Sequence, residues 1–184
     1  MFTVMNEIVK ETYEEQIQSD RWGNSVFKKI ELLKLDFSGR VGEIFLMKII
    51  TELGLGVTKL PKEKGSGFDY KIGNREIEVK TARIGINNSF QHENLKNYTN
   101  GYFIFVDVSY NNIYLTIMDT NFDFTKKHPI LKVKPHLRKD TIDQYKFSLS
   151  LCAIKKGIDG GITLNIDSET SPKTVENFVL KFLK

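Results

Sequence analysis

The sequence of 184 residues contains a single cysteine, Cys152, and only three histidines. An internal disulfide is therefore excluded, and the cysteine–histidine spacing of a structural zinc site is missing. Because Cys152 lies in the apolar stretch FSLSLCAI, we expect it to be a small buried residue rather than a nucleophile. No GxxxxGK[ST] loop occurs, so no nucleotide cofactor is expected.

Long apolar runs are also missing, and none approaches the roughly 18 residues of a membrane-spanning helix. The N-terminal stretch is polar and acidic, unlike a secretory signal or a transit peptide. These features predict an intracellular, cytoplasmic protein with no membrane partner. Hydrophobic residues make up 40% of the chain and charged residues 27%, which is typical of a globular domain with a proper core.

Charge is unevenly distributed along the chain. The net charge is +4, but residues 126–156 hold nine lysines and arginines against two acidic residues, a local charge of +7. The rest of the chain therefore carries −3. Two interpretations remain open for the basic region: a solvated surface, or a binding patch for a polyanion such as a nucleic acid.

The spacing of apolar residues predicts helices in the first third of the chain and strands after residue 61. The helices are expected over 4–19, over roughly 26–35 with Ser25 or Asn24 as cap, and from a cap at Asp36 or Ser38 to Gly54. Strands are expected over 68–72, 75–82, 102–109, 113–119, 130–134, 145–154 and 161–166, with a short helix over 90–98. Ser171 and Pro172 begin a last helix.

This order of elements predicts one α/β (α+β) domain, with a central mixed β-sheet flanked by helices. We expect 1–184 to be a single domain with three parts. They are a helical N-terminal extension (1–37), a core (38–118) and a basic C-terminal part (119–184).

The segment GFDYKIGNREIEVKTA, residues 67–82, predicts a β-hairpin around the two-residue turn Gly73–Asn74. If that turn is the whole loop, Asp69 faces Glu78 directly across the two strands. Because side chains alternate along a strand, Lys80 shares their face. The same alternation places Phe68, Tyr70, Ile72, Ile77 and Val79 on the opposite face, towards the core.

Two carboxylates that face each other across a sheet repel, and a divalent cation reverses that cost. Mg²⁺ prefers hard oxygen ligands, and a nearby lysine stabilises the developing charge on a phosphate. Asp69, Glu78 and Lys80 are therefore candidate catalytic residues for phosphodiester hydrolysis. The alternative is an ordinary amphipathic hairpin with a solvated polar face.

The elements GRVGE with Glu43, GFD with Asp69 and IEVK with Glu78 and Lys80 resemble the PD-(D/E)XK nuclease superfamily, which has the restriction-endonuclease-like fold. The resemblance covers roughly residues 38–118. It implies that Asp69 and Glu78 bind Mg²⁺, with Mn²⁺ as a substitute, and that Lys80 assists the attacking water. It also implies that the backbone carbonyl of Val79 is a further metal ligand.

Two more residues match the resemblance in part. Glu43 matches an acid that many members place beside the metal, although a surface glutamate explains it too. Gln91 resembles a glutamine that some members carry on the helix after the catalytic strand, with His92 and Glu93 beside it as weaker matches. Phe68 stands where the motif has proline, a position that varies widely.

The resemblance leaves the nuclease class open. The added N-terminal helices and the basic C-terminal part favour a type II restriction endonuclease that cuts double-stranded DNA as a homodimer. Another nuclease of this fold, such as a junction resolvase, a repair enzyme or a phage nuclease, and a catalytically silent DNA-binding protein are the alternatives. Asn87, Asn88 and Gln91 are candidates for reading bases. The predicted DNA contacts are Lys126, Lys127, Lys132, Lys134, Arg138 and Lys139.

Overall fold

The fold was analysed in a computed structural model, in which residues 5, 7, 8, 10, 11, 14, 21–61, 67–85, 87–98, 100–128, 130–138, 141–158 and 160–183 are described. The side chains of 35–36, 136–138 and 141–143 are outside this description. The predicted helix over 4–19 lies largely outside the described residues, and its few described positions are helical. None of the described helices is long and apolar enough to cross a membrane.

Apart from the helical positions near the N-terminus, the described residues form a 3₁₀ turn, three α-helices and nine strands. The 3₁₀ turn is Lys28–Leu32, and the helices are α1 (Leu35–Glu52), α2 (Leu151–Lys156) and α3 (Pro172–Leu183). The strands are β1 (Val57–Lys59), β2 (Tyr70–Ile72), β3 (Arg75–Arg83), β4 (Ser89–Leu95), β5 (Gly101–Val108), β6 (Ile113–Asp119), β7 (Lys132–Arg138), β8 (Thr141–Ser150) and β9 (Gly161–Ile166).

Six strands form the central sheet in the order β1-β2-β3-β5-β6-β9. Only the pair β3–β5 is parallel, and the other four pairs are antiparallel. The chain leaves the central sheet after β3, forms β4 in a second sheet, and returns as β5. The predicted fold class, a mixed sheet flanked by helices, is confirmed; the domain boundaries stay a prediction.

The second sheet has the order β4-β8-β7 and is antiparallel. Its inner side chains, among them Tyr145, Phe147 and Leu149, pack with Phe103 and Phe105 of β5. The rings of Phe105 and Phe147 stack with centroids 5.4 Å apart. Because each large apolar side chain that is fully buried contributes about 1.5–3 kcal/mol, this second core fastens the small sheet to the central one.

The opposite face of the central sheet is covered by α1 and α3. Leu46 and Ile50 of α1 and Val179 of α3 are fully buried there. Helix α1 approaches β3 closely at Gly42, since a Cβ atom at this position would stand 2.0 Å from Oγ1 of Thr81. The hydroxyl of Thr81 also donates a hydrogen bond to the carbonyl of Gly39. The glycines of the GRVGE element thus set the position of Glu43.

Several local predictions were wrong. The helix expected over 90–98 is strand β4, in which buried Phe90 and His92 alternate with exposed Gln91 and Glu93. Helix α1 is preceded by Lys34 with no side-chain cap, and the helix expected over 26–35 is a short 3₁₀ turn. Cys152 is exposed on α2, because the helix that follows β8 turns it away from the core.

Candidate active site

The hairpin of β2 and β3 brings two acidic side chains together. Gly73 adopts a positive φ of 57°, which a residue without Cβ tolerates, and the strands pair from Ile72↔Arg75 to Tyr70↔Ile77. This register is the one that the sequence predicted. Asp69 and Glu78 follow the last pair, one on each strand, and they are only 7% and 6% exposed.

Asp69 lies beyond the regular ladder. Its backbone N–H donates to the carbonyl of Ile77 at 2.8 Å, although Ile77 is already the pairing partner of Tyr70. The predicted one-to-one pairing of Asp69 with Glu78 is therefore not continued by the backbone. Instead, the Asp69 carboxylate accepts the Val79 N–H at 2.9 Å, which fixes the side chain beside β3.

The carboxyl groups of Asp69 and Glu78, here called the acid pair, lie within hydrogen-bonding reach of each other. The pKa of Glu78 is raised from 4.5 to about 7, mainly by burial, and the charge and hydrogen bond of Asp69 contribute to this rise. The charge of Lys80 lowers it and only partly offsets the rise. The acid pair is thus a site where negative charge is confined and a cation would be stabilised.

Lys80 completes the cluster. Its Nζ lies 2.5 Å from Oε1 of Glu78, with 22% of the side chain exposed. Phe103 and Phe105 are the register neighbours of Glu78 and Lys80 on β5, and both are fully buried. The face that carries the acid pair is therefore apolar on its β5 side, which does not fit the alternative of an ordinary hairpin with a solvated polar face.

The backbone of Val79 also faces this site. In an antiparallel ladder the N–H and the C=O of one residue point to the same neighbouring strand. Since the Val79 N–H donates to Asp69, the carbonyl of Val79 is directed to the same side, beyond the last β2–β3 pair. Two carboxylates and one carbonyl oxygen are thus directed towards one small region.

Glu43 is near this region but is held by another partner. Its Oε2 accepts a hydrogen bond from the Tyr70 hydroxyl at 3.0 Å. The pKa of Tyr70 is raised to about 12, mainly by burial and in part by the hydrogen bond and charge of Glu43 and the charge of Asp69. Within the described ranges, no three His, Cys, Asp or Glu side chains form a metal-sized group. Glu43 is thus not gathered with the acid pair, and its role stays a prediction.

Gln91 is exposed on strand β4, not on the predicted helix. It lines a groove with Thr81, Ala82 and Arg83, the residues that follow Lys80 on β3. Gln91 also lines a second groove of about 410 Å³ with Lys132 and Lys134. Gln91 therefore lies between the end of β3 and part of the predicted DNA contacts.

The other predicted DNA contacts are scattered. Lys126 and Lys127 are exposed in the loop after β6, and Nζ of Lys126 lies 3.2 Å from Oδ2 of Asp123. The side chain of Arg138 and all of Lys139 lie outside the described residues. Asn88 accepts a hydrogen bond from Arg21 at 2.6 Å, so its amide oxygen is engaged.

Two contributors, Tyr70 and Lys146, were missed by the prediction. Tyr70 was assigned to the core alone, yet its hydroxyl links the hairpin to Glu43. Lys146 and Glu93 form an ion pair at 2.6 Å between β8 and β4. The separation of 53 residues between them leaves no local signal, because only the pairing of β4 with β8 brings them together.

Comparison with known proteins finds a likeness among solved structures. No family model matches the sequence, and no curated protein matches it significantly. A solved structure titled "Restriction endonuclease in complex with substrate DNA" superposes with a TM-score of 0.47 and 13% identity, covering 98% of this chain and 94% of that chain. At such a low sequence identity and TM-score, the likeness concerns the path of the backbone only.

Proposed function

We propose that the chain is a Mg²⁺-dependent endonuclease that hydrolyses phosphodiester bonds of double-stranded DNA. The observation that supports this is the buried acid pair with the Lys80 ammonium 2.5 Å from Glu78. Such an arrangement is costly for folding alone, since two carboxyls share a poorly solvated space. A cluster retained at that cost is a candidate for chemistry.

The donor set suits magnesium. The acid pair and the Val79 carbonyl offer hard oxygen ligands, which Mg²⁺ prefers. Mn²⁺ is expected to substitute. When bound there, the metal acts as a Lewis acid towards a phosphoryl oxygen and lowers the pKa of a coordinated water.

Each residue of the chain then has a distinct task. Asp69, fixed by the Val79 N–H, and Glu78 would hold the cation with their ionised carboxylates. Lys80 neutralises Glu78 in the metal-free protein. Once a cation takes over that charge, the Lys80 ammonium is available to orient the attacking water and to stabilise the negative charge of the pentacovalent phosphate.

The finer proposal is a type II site-specific restriction endonuclease that works as a homodimer on a palindromic site. Exposed apolar side chains support a protein–protein contact: Val26 is 77% exposed and Leu32 is 79% exposed, both on the segment that precedes α1. Sedimentation equilibrium across a concentration series tests the dimer, and a monomer at assay concentrations contradicts it.

The decisive experiment is incubation of the purified protein with supercoiled plasmid and with linear phage DNA, in Mg²⁺ or in EDTA. Discrete fragments in Mg²⁺ alone are expected. Cleavage of branched junctions or of ends, with intact linear duplex untouched, would move the protein to another nuclease class. Binding of DNA without any cleavage in Mg²⁺ or Mn²⁺ would refute the catalytic proposal.

A further inference from the structure

The solvent side of the second sheet carries an ordered set of polar side chains, here called the outer face. Strand pairing places Gln91, Ser148 and Lys132 in one row. The neighbouring row contains Lys146 and Lys134, which are directly paired, and Glu93, whose carboxylate contacts Lys146. Ser89 and Ser150 form a third row.

The charge of the outer face is predominantly positive. Lys132, Lys134 and Lys146 are exposed, and Glu93 is the one acidic residue among its eight described members. Glu93 is already neutralised, since it lies 2.6 Å from Nζ of Lys146. Lys132 and Lys134 line one groove together with Lys146 and Glu93, so three positive charges stand there against one negative charge.

The strand that bears Gln91 is rigidly attached to the catalytic sheet. Phe90 and His92 point inward, and both are almost fully buried. The ring of His92 lies 4.5 Å from that of Phe105, and its Nε2 lies 3.0 Å from Oδ1 of Asp107. Since Phe105 is the register neighbour of Lys80, a ligand on the outer face is held at a fixed position relative to the acid pair.

We propose that the outer face binds duplex DNA in its major groove, with Lys132 and Lys134 on phosphates and Gln91 on a base edge. This inference rests on the proposed function, because it names the surface that presents the duplex to Lys80. Lysine is suited to phosphate contacts, and glutamine pairs with the N6 and N7 atoms of adenine.

Two features favour a duplex over a single strand. Single-strand binding surfaces stack bases on aromatic rings, and no aromatic residue stands among the eight members of the outer face. Gln91 and Lys132 lie two strand spacings apart, roughly 10 Å, so Gln91 can reach a base edge in a major groove about 12 Å wide while Lys132 reaches a phosphate at its border. Gln91 borders both grooves, so bound DNA would extend from the outer face towards the end of β3.

The test measures binding separately from cleavage. The double variant Lys132→Glu/Lys134→Glu is compared with Lys173→Glu/Lys181→Glu, which changes the charge equally on α3, across the central sheet. Affinity for a fluorescent duplex of mixed sequence is measured by anisotropy in EDTA over a salt series. The outer-face variant should bind at least about tenfold more weakly, with a salt slope lower by about two, while the α3 variant stays near wild type.

Equal affinities of the two double variants would overturn the proposal, as would tighter binding of a single-stranded oligonucleotide than of the duplex. Asp69→Asn serves as the separating control: it should lose cleavage and keep duplex affinity. If wild type cleaves DNA and the outer-face variant cleaves it equally well, the proposed DNA-binding surface is refuted, but the proposed nuclease function still stands. Duplex binding that depends on Lys132 and Lys134 without any cleavage would support the surface and refute the nuclease.

The role of Gln91 has its own readout. Duplexes selected from a random pool by the Asp69→Asn protein define a preferred sequence. Adding Gln91→Ala to this protein should relax the sequence preference at one position. The affinity for duplexes with the preferred base there should fall by about five- to a hundredfold. An unchanged preference removes Gln91 from base recognition.

Discussion

The acid pair and the outer face both carry charge, but they differ in exposure, and this decides what their charges do. On the hairpin two buried carboxyls and one lysine strongly perturb each other, and the pKa of Glu78 rises to about 7. On the outer face the lysines are exposed and keep their hydration. A perturbed protonation equilibrium thus marks the buried cluster, whereas exposed lysines act through long-range attraction.

The strongest test of this contrast removes charge from the acid pair. Asp69→Asn, Glu78→Gln and Lys80→Ala should each lower the cleavage rate by at least about a hundredfold, because each removes a metal ligand or a charge that acts on the transition state. Plasmid nicking in Mg²⁺ under single-turnover conditions measures the loss.

Glu76→Gln is the matched control. Glu76 lies two residues before Glu78 on the same face of β3, but it pairs with Lys71 at the exposed part of the hairpin. Its variant should retain activity. A loss equal to that of Glu78→Gln would show that cleavage depends on the general charge of the hairpin rather than on the acid pair.

A second test uses the pH dependence of stability. The folded-state pKa of Glu78 lies above its ordinary value, so the folded protein binds more protons than the unfolded chain between about pH 4.5 and 7. Stability from this group is present below that window and is lost as the pH rises through it, by about 3 kcal/mol in total. Urea unfolding of the metal-free protein across this range measures the loss.

Glu78→Gln should remove this pH dependence and should be more stable than wild type at pH 8 in EDTA. Mg²⁺ should raise the stability of wild type at pH 8 and that of the variant much less, since the cation stabilises only the form it binds. The same slope in both proteins would mean that another group causes the pH dependence.

These tests also show how far the sequence alone reaches. The hairpin was predictable, because Gly73–Asn74 and the alternation around it are local signals, and so was the closeness of Asp69 to Glu78. The contacts across the two sheets were not. The row Gln91–Ser148–Lys132 depends on a register between strands far apart in the chain. The buried contact of His92 with Asp107 likewise exists only after the second sheet packs on β5.

Strand β4 shows why one local prediction failed. Buried and exposed side chains alternate from Phe90 to Glu93, as is typical of a strand, but Phe90 is the only apolar residue among these four, and the polar composition favoured a surface helix. Asn94 adopts a positive φ of 59° at the point where the β4–β8 register shifts. This irregularity interrupts the alternation of buried and exposed side chains. The strand is therefore evident only from its pairing with β8.

A smaller effect is expected at the link between α1 and the hairpin. Tyr70→Phe removes the hydroxyl that donates to Glu43 and should destabilise the protein by about 1 kcal/mol. If Glu43 is needed beside the metal, releasing it from Tyr70 should change the Mg²⁺ concentration for half-maximal cleavage more than the rate at saturation. Glu43→Gln should then change the Mg²⁺ requirement in the same way. If both variants change only the stability, the contact between Tyr70 and Glu43 has a structural role.

The smallest effect is expected at Lys126, which distinguishes an ordered surface from mere positive charge. Lys126 belongs to the same basic stretch of sequence as Lys134, but it lies in a loop and is paired with Asp123. Lys126→Ala should alter duplex affinity by no more than about twofold, since exposed ion pairs contribute little. Lys134→Ala, measured in the same anisotropy assay, should cost more. Equal losses would indicate that the duplex responds to net charge, because the two substitutions change it identically and differ only in position.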